Sequence, residues 1–178
     1  MTHSYDWRRV TLGDCVTTKK GFAFKSSWYT EAGHAIVKVS DFTVDSVCCD
    51  SLTRISLEIA SKYLPYAIAT GDLVVQTVGS WPNNPQSVVG KAIRVPAAAN
   101  RALLNQNAVR LDPIEIANRR FLFYLLRNKH FKSYIVNTAQ GAASQAAITL
   151  DSLREYEFCF HLSQPSARLP GCYRRMTT

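Results

Sequence analysis

GDLVVQTVGSWPNNPQS, residues 71–87, anchors the secondary-structure pattern of this chain. Gly71 and Asp72 are turn residues, and the β-branched run behind them, as far as Gly79, reads as a strand. SWPNNPQS, residues 80–87, then places two prolines and two asparagines where no regular element accommodates them, so the strand empties into a loop. Residues 88–95 and 102–111 read as two further strands. Residues 114–136 carry the longest helical pattern, with Phe121, Leu122, Leu125, Leu126 and Tyr134 available for one apolar face. Arg119, Arg120, Arg127, Lys129 and Lys132 belong to the same helix. AQGAASQAAITL, residues 139–150, reads as a small-residue loop, and residues 151–156 as a short helix or strand.

Upstream, residues 7–10 form a short strand and Leu12, Gly13 and Asp14 a turn. KKGFAFKSSWY, residues 19–29, alternates around Gly21 like an irregular hairpin. Residues 34–42 alternate through Ile36, Val37 and Val39 as a strand. Ser56 caps a short helix through Leu57, Ile59 and Ala60, which ends before Pro65. The balance is mixed α and β, without the regular alternation of a doubly wound sheet and without internal repeats.

The 178 residues suit one domain, and the net charge of +8 makes a polyanion the first partner to consider. That charge is segregated. Residues 1–90 hold eight basic and eight acidic side chains, whereas residues 91–178 hold thirteen and five. Such asymmetry points to an electrostatic footprint on one face, with a solvated helix surface as the competing reading. The five cysteines form no C-x-x-C, and scattered thiols suit a reducing, cytoplasmic setting. The four histidines stand apart from any metal-ligand spacing, and no apolar run approaches a membrane span. Phosphate-binding glycine loops, G-x-S-x-G and H-E-x-x-H are missing, and the aspartates stand singly beside turns. The expectation is a chain with no catalytic residues, no metal and no cofactor.

Seven pieces in order resemble the target-recognition domain of the specificity subunit of type I restriction-modification systems. They are W-R-x-V-x-L-G-D (7–14), G-F-A-F-K-S-x-x-Y (21–29), I-V-K-V-S-D (36–41) and GDLVVQTVGS (71–80), followed by L-N-Q-N (104–107), the helix around FLFYLL and T-A-Q-G-A-A-S-Q-A-A-I (138–148). The resemblance covers about residues 7–158. It implies an irregular, partly antiparallel twisted sheet with a few packed helices. It also implies sequence-specific recognition of double-stranded DNA, each domain reading one half of a split site. Catalysis then resides in partner methylation and restriction subunits. The family joins two such domains by long helices, and this chain has the length of one domain without the spacers. Residues 1–158 are accordingly the expected recognition domain.

After that domain the family continues with a proline pair and a long helix, whereas residues 160–178 read FHLSQPSARLPGCYRRMTT. Displaced by one nucleotide, permitted codons for this tail spell a stretch beginning Pro-Pro-Leu-Ser-Thr, like the family's spacer. A frameshift near Cys159 is therefore expected, leaving residues 159–178 as a non-native tail at the start of a missing spacer helix. A short chain with an unrelated tail is the alternative, and sequencing the gene past its stop codon separates the two.

DNA reading needs cations for phosphates and planar amide or guanidinium groups for base edges. Lys91, Arg94, Arg101, Arg119, Arg120, Arg127, Lys129 and Lys132 are the phosphate candidates. The loop with Ser80, Trp81, Asn83, Asn84, Gln86 and Ser87 is the base-reading candidate, since Asn and Gln match adenine's major-groove edge. Asx turns are the competing role for its asparagines. Lys25 and Ser26 would reach a phosphate or base, or belong to a plain exposed hairpin. Ser144 and Gln145 are DNA contacts, or pack against a spacer helix. Trp7, Phe22, Phe24, Trp28, Phe121, Phe123 and Tyr124 are assigned to the core. The alternative function is a DNA-silent remnant that dimerises or binds a methylation subunit; a small nuclease or hydrolase lacks its carboxylate cluster.

Overall fold

The computed structural model describes residues 7–81, 88–114, 117–142 and 145–161. In chain order the strands are β1 (Trp7–Thr11), β2 (Val16–Lys20), β3 (Tyr29–Thr30), β4 (His34–Val37), β5 (Thr53–Ile55), β6 (Leu73–Gln76), β7 (Val78–Gly79), β8 (Ala92–Arg94), β9 (Leu103–Leu104), β10 (Ala108–Pro113), β11 (Gln140–Ala142), β12 (Gln145–Ala147) and β13 (Glu157–His161). Helix α1 (Leu57–Ser61) lies between β5 and β6, and α2 (Arg119–Leu125) and α3 (Lys129–Thr138) follow β10. The short α4 (Leu150–Arg154) precedes β13.

The central sheet runs β2-β10-β6-β8, antiparallel throughout. Its strand β6 is buried along its whole length, with apolar Leu73, Val74 and Val75 followed by the buried polar Gln76. Side chains alternate across the sheet. Leu73, Val75, Val109 and Leu111 pack with Leu122, Leu126, Phe131 and Ile135 of α2 and α3. Val74, Ala108 and Ile93 point the other way, against Phe42, Val47, Ile68 and Leu104. A second sheet, β3-β5-β4-β9, covers a smaller core of Phe24, Ile36, Ile55, Ala60 and Leu103, and its β4–β9 pair is parallel. Strands β1 and β13 pair antiparallel from Trp7↔His161 to Thr11↔Glu157. Cys159 lies within this ladder, opposite Arg9.

Several local expectations are corrected. The helix expected over residues 114–136 is two helices, because Asn118 and Asn128 both act as N-caps. Asn118 Oδ1 accepts from the Arg120 and Phe121 amides, and Asn128 Oδ1 accepts from Phe131 N–H at 2.8 Å. The loop expected over residues 139–150 holds the hairpin β11–β12. At Gly141, φ is +153° and a Cβ would stand 2.0 Å from the Gln145 carbonyl oxygen, so only glycine fits there. Residues 19–29 form no hairpin: β3 pairs with β5, and the chain between crosses to bridge Phe22 with Asn105. The strand expected over residues 34–42 ends at Val37 and turns into a 3₁₀ segment, Val39–Asp41. Among the aromatics assigned to the core, Phe24 and Phe123 are buried, but Phe121 and Tyr124 are exposed, Tyr124 at 59%. Helix α1 forms as expected, with Ser56 Oγ accepting from Ile59 N–H.

Candidate nucleic-acid interface

One end of the central sheet gathers several of the described residues that the sequence singles out, Ser80, Lys91 and Gln145 among them. Gly21 N–H donates to the Ala108 carbonyl (3.0 Å), Thr77 N–H to the Asn107 carbonyl (2.8 Å) and Gln76 N–H to the Lys91 carbonyl (2.9 Å). Gly21, Ala108, Gln76 and Lys91 therefore lie abreast where β2, β10, β6 and β8 end, with Lys20 one residue to one side of this row and the Asn107–Thr77 pair one residue to the other. Three strand spacings separate the outer two, about 14 Å.

Strand β7 leaves this rim and leads into the loop beginning at Ser80. The loop's base is closed by a parallel bridge between Ser80 and Val88 and by Val89 N–H donating to the Ser80 carbonyl at 3.0 Å. Strand β7 also pairs with β12, Ala146 opposite Gly79, and Ile148 N–H donates to the Thr77 carbonyl at 2.9 Å. The small sheet β11-β12-β7 thus sets the adjoining ends of β11 and β12 beside the point where the chain leaves β7 at Ser80. The Gln76 side-chain amide donates to the Val78 carbonyl at 2.9 Å and braces the kink between β6 and β7. Two segments distant in sequence, each expected to touch DNA, come together by strand register. Asn83, Asn84, Gln86, Ser87 and Ser144 lie outside the described residues; Ser80, Trp81 and Gln145 mark where their segments emerge. Trp81 is half-buried and packs against the larger core, so its ring anchors the loop base.

Cations flank this centre on both sides. At the β2 side, Lys20 and Lys25 are exposed; the Lys25 ammonium lies 5.5 Å from the Trp28 ring centre, and Ser26 opens the exposed turn Ser26–Trp28. Lys19 sits 5.1 Å from the Tyr66 ring centre. Among the described residues no carboxylate pairs with these lysines. At the β8 side lies a groove of about 810 Å³ lined by apolar groups such as Val44, Leu126 and Ile135, and by Lys91, Arg127 and Lys132. Burial pushes the Lys91 ammonium below its ordinary pKa. Arg127 is committed to its surroundings: it donates to the Val44 carbonyl at 3.0 Å and stacks 5.0 Å from the Phe123 ring centre.

Other expected phosphate contacts stand elsewhere. Arg94 pairs opposite Leu73, and Arg119 Nη1 donates to Asp72 Oδ1 at 3.1 Å, at the opposite end of β6. Three residues of strand, about 10 Å, separate that end from the rim. Arg120 is exposed in the first turn of α2. Lys20 and Gln106, which the sequence did not single out, also lie at this rim. The signal was present in the Lys19-Lys20 pair and the L-N-Q-N motif, but only the strand pairing places both at the rim.

Among the described residues no group of three or more His, Cys, Asp or Glu is placed to hold a metal ion, and no helix is long and apolar enough to cross a membrane. No protein-family model matches the chain. Over 131 residues it is 26% identical to the type I restriction enzyme MjaVIII specificity subunit of Methanocaldococcus jannaschii, covering 71% of this chain and 29% of that protein. The S subunit of a type I restriction-modification system from M. genitalium superposes with a TM-score of 0.58 at 15% identity, over 92% of this chain and 37% of its own. A chain from a structural study of type I complex assembly gives 0.60 at 18% identity, over 86% and 33%. The HsdS subunit from Thermoanaerobacter tengcongensis gives 0.53 at 17%, over 86% and 32%. The chain spans about a third of the length of these relatives. It has the fold of that third of a type I restriction-modification specificity subunit, and it is similar in sequence to one such subunit.

Proposed function

We propose that this chain recognises double-stranded DNA and reads one half of a bipartite site, as part of the specificity subunit of a type I restriction-modification complex. The observation that carries this reading is the convergence, at one sheet end, of the segments that emerge at Ser80 and at Gln145, between two cationic flanks. Their separation of about 14 Å is close to the width of a major groove, about 12 Å. Central amides would read base edges while Lys20, Lys25 and Lys91 hold phosphates on either side. Methylation and cleavage belong to partner methylation and restriction subunits, and the chain itself needs no cofactor. Arg119 is withdrawn from the phosphate contacts by its bond to Asp72.

Fluorescence anisotropy on a randomised duplex, titrated with salt, tests the reading. Binding should weaken by more than tenfold between about 50 and 200 mM salt if several phosphates are neutralised. No binding at the low end would overturn it and favour the second reading, a DNA-silent interaction module. That reading draws on the exposed Phe121 and Tyr124 of α2, an apolar face suited to self-association or a methylation subunit. Sedimentation that shows a concentration-independent monomer would remove the self-dimer.

A further inference from the structure

A run of aromatic rings crosses the surface between β2 and the smaller core. Between ring centres, Tyr66 lies 5.2 Å from Phe22, Phe22 4.4 Å from Tyr63, and Tyr63 5.7 Å from Trp28. All four rings are half-buried, and the buried Phe24 ring backs Phe22 and Tyr63 edge-on. Successive rings are tilted by 50°, 39° and 35°, so they splay instead of stacking on one another. A lysine stands over the ring at each end of the run, Lys19 over Tyr66 and Lys25 over Trp28. Both lysines are exposed, and among the described residues neither has a carboxylate partner.

Backbone bonds hold the rings in place. Phe22 N–H donates to the Leu104 carbonyl at 2.9 Å, Trp28 N–H to the Lys25 carbonyl at 3.0 Å, and Tyr66 N–H to the Tyr63 carbonyl at 2.9 Å. Arg110, opposite Lys19 in the sheet, donates to the Ala67 carbonyl at 2.6 Å and ties the 3₁₀ turn Leu64–Tyr66 to β10. An exposed ammonium covers each end ring, so the covered face looks towards solvent and not into the core. A stacked base outweighs an exposed ammonium–ring contact, so a base displaces the lysine and leaves it free for the adjoining phosphate.

We propose that this surface binds unpaired nucleotides of single-stranded nucleic acid, with bases stacked on Tyr66 and Trp28 and phosphates held by Lys19 and Lys25. Every base has a π-face, so such a site takes any sequence. That agrees with Phe22 and Lys25 lying in the G-F-A-F-K-S piece that resembles the family, since a sequence-tolerant site has no need to differ between members. The site goes beyond duplex recognition and does not depend on it. An apolar cover for the smaller core is the competing role.

The test is anisotropy of a labelled oligothymidylate, which forms no duplex, with the full chain and ring variants whose folding is checked by thermal unfolding. Tyr66→Leu and Trp28→Leu keep apolar volume but lose the ring, and each should weaken binding about tenfold, while Tyr66→Phe and Trp28→Phe stay within about twofold. Binding of duplex by Tyr66→Leu should not change. Oligothymidylate should also quench the tryptophan fluorescence of the unaltered chain, and Trp28→Phe should remove that quench, a readout that needs no leucine variant to fold. No binding of oligothymidylate, or leucine variants that bind as tightly as their phenylalanine counterparts, overturns the proposal. Equal competition by polyglutamate also overturns it, because charge alone then suffices and an acidic protein surface fits as well. Each of these results leaves the duplex reading standing, and a chain that binds oligothymidylate but no duplex overturns that reading and not this one.

Discussion

Asp72 and Arg119 show how a residue's role changes once its partner is known. Asp72 sits after Gly71 where a turn residue belongs, and its carboxylate accepts from Ala69 N–H at 2.8 Å. The same carboxylate is almost fully buried and takes Arg119 as its ion-pair partner, 47 residues away. No local pattern reveals that pairing, so Arg119 reads in sequence like its neighbour Arg120. The two should behave differently. Arg119→Ala leaves Asp72 buried without its cation and should destabilise the fold by about 1–2 kcal/mol, the lower part of the range for such pairs because the guanidinium is half-exposed. Arg120→Ala, on an exposed position, should stay within about 0.5 kcal/mol. Urea unfolding of both variants checks the contrast, and equal midpoints would contradict it.

At the scale of elements, the most legible parts were those whose signals are local. The β-branched run of β6 and the Ser56 cap of α1 needed no partner to be recognised. The split between α2 and α3 was also written locally, in Asn118 and Asn128, but the continuous apolar pattern of FLFYLL outweighed it. Asn128→Ala removes the acceptor of Phe131 N–H and should cost about 1 kcal/mol, whereas Asn137→Ala, inside α3 and exposed, should be neutral or slightly stabilising. Denaturation midpoints measure both, and equal effects would argue against the cap. The hairpin β11–β12 was illegible for a different reason. Its alanines and Gly141 have weak strand propensity, and it is a hairpin because β7 offers an edge on which β12 pairs. The small sheet around β4 was obscured likewise, since β9 reaches it as a parallel strand across many residues. The candidate site followed the same division: the 80–87 loop could be picked out by composition, but its neighbours Gln145, Gln106 and Lys20 required the register.

For the molecule as a whole, the +8 charge suggested a basic face on the second half of the chain. The fold distributes those cations. Arg94, Arg119 and Arg120 occupy one end, Lys91 and Lys132 line the groove, and Lys20 and Lys25, from the electrically neutral first half, join the rim. The central claim is that DNA meets this rim and not the end that carries Arg119. Amide hydrogen exchange of the full chain, with and without a bound duplex, tests it most directly. Slowed exchange is expected over residues 79–91, 105–108 and 140–147, with α2 unchanged. Protection confined to α2 and the Arg94 end, with the rim exchanging as in the free chain, would contradict it.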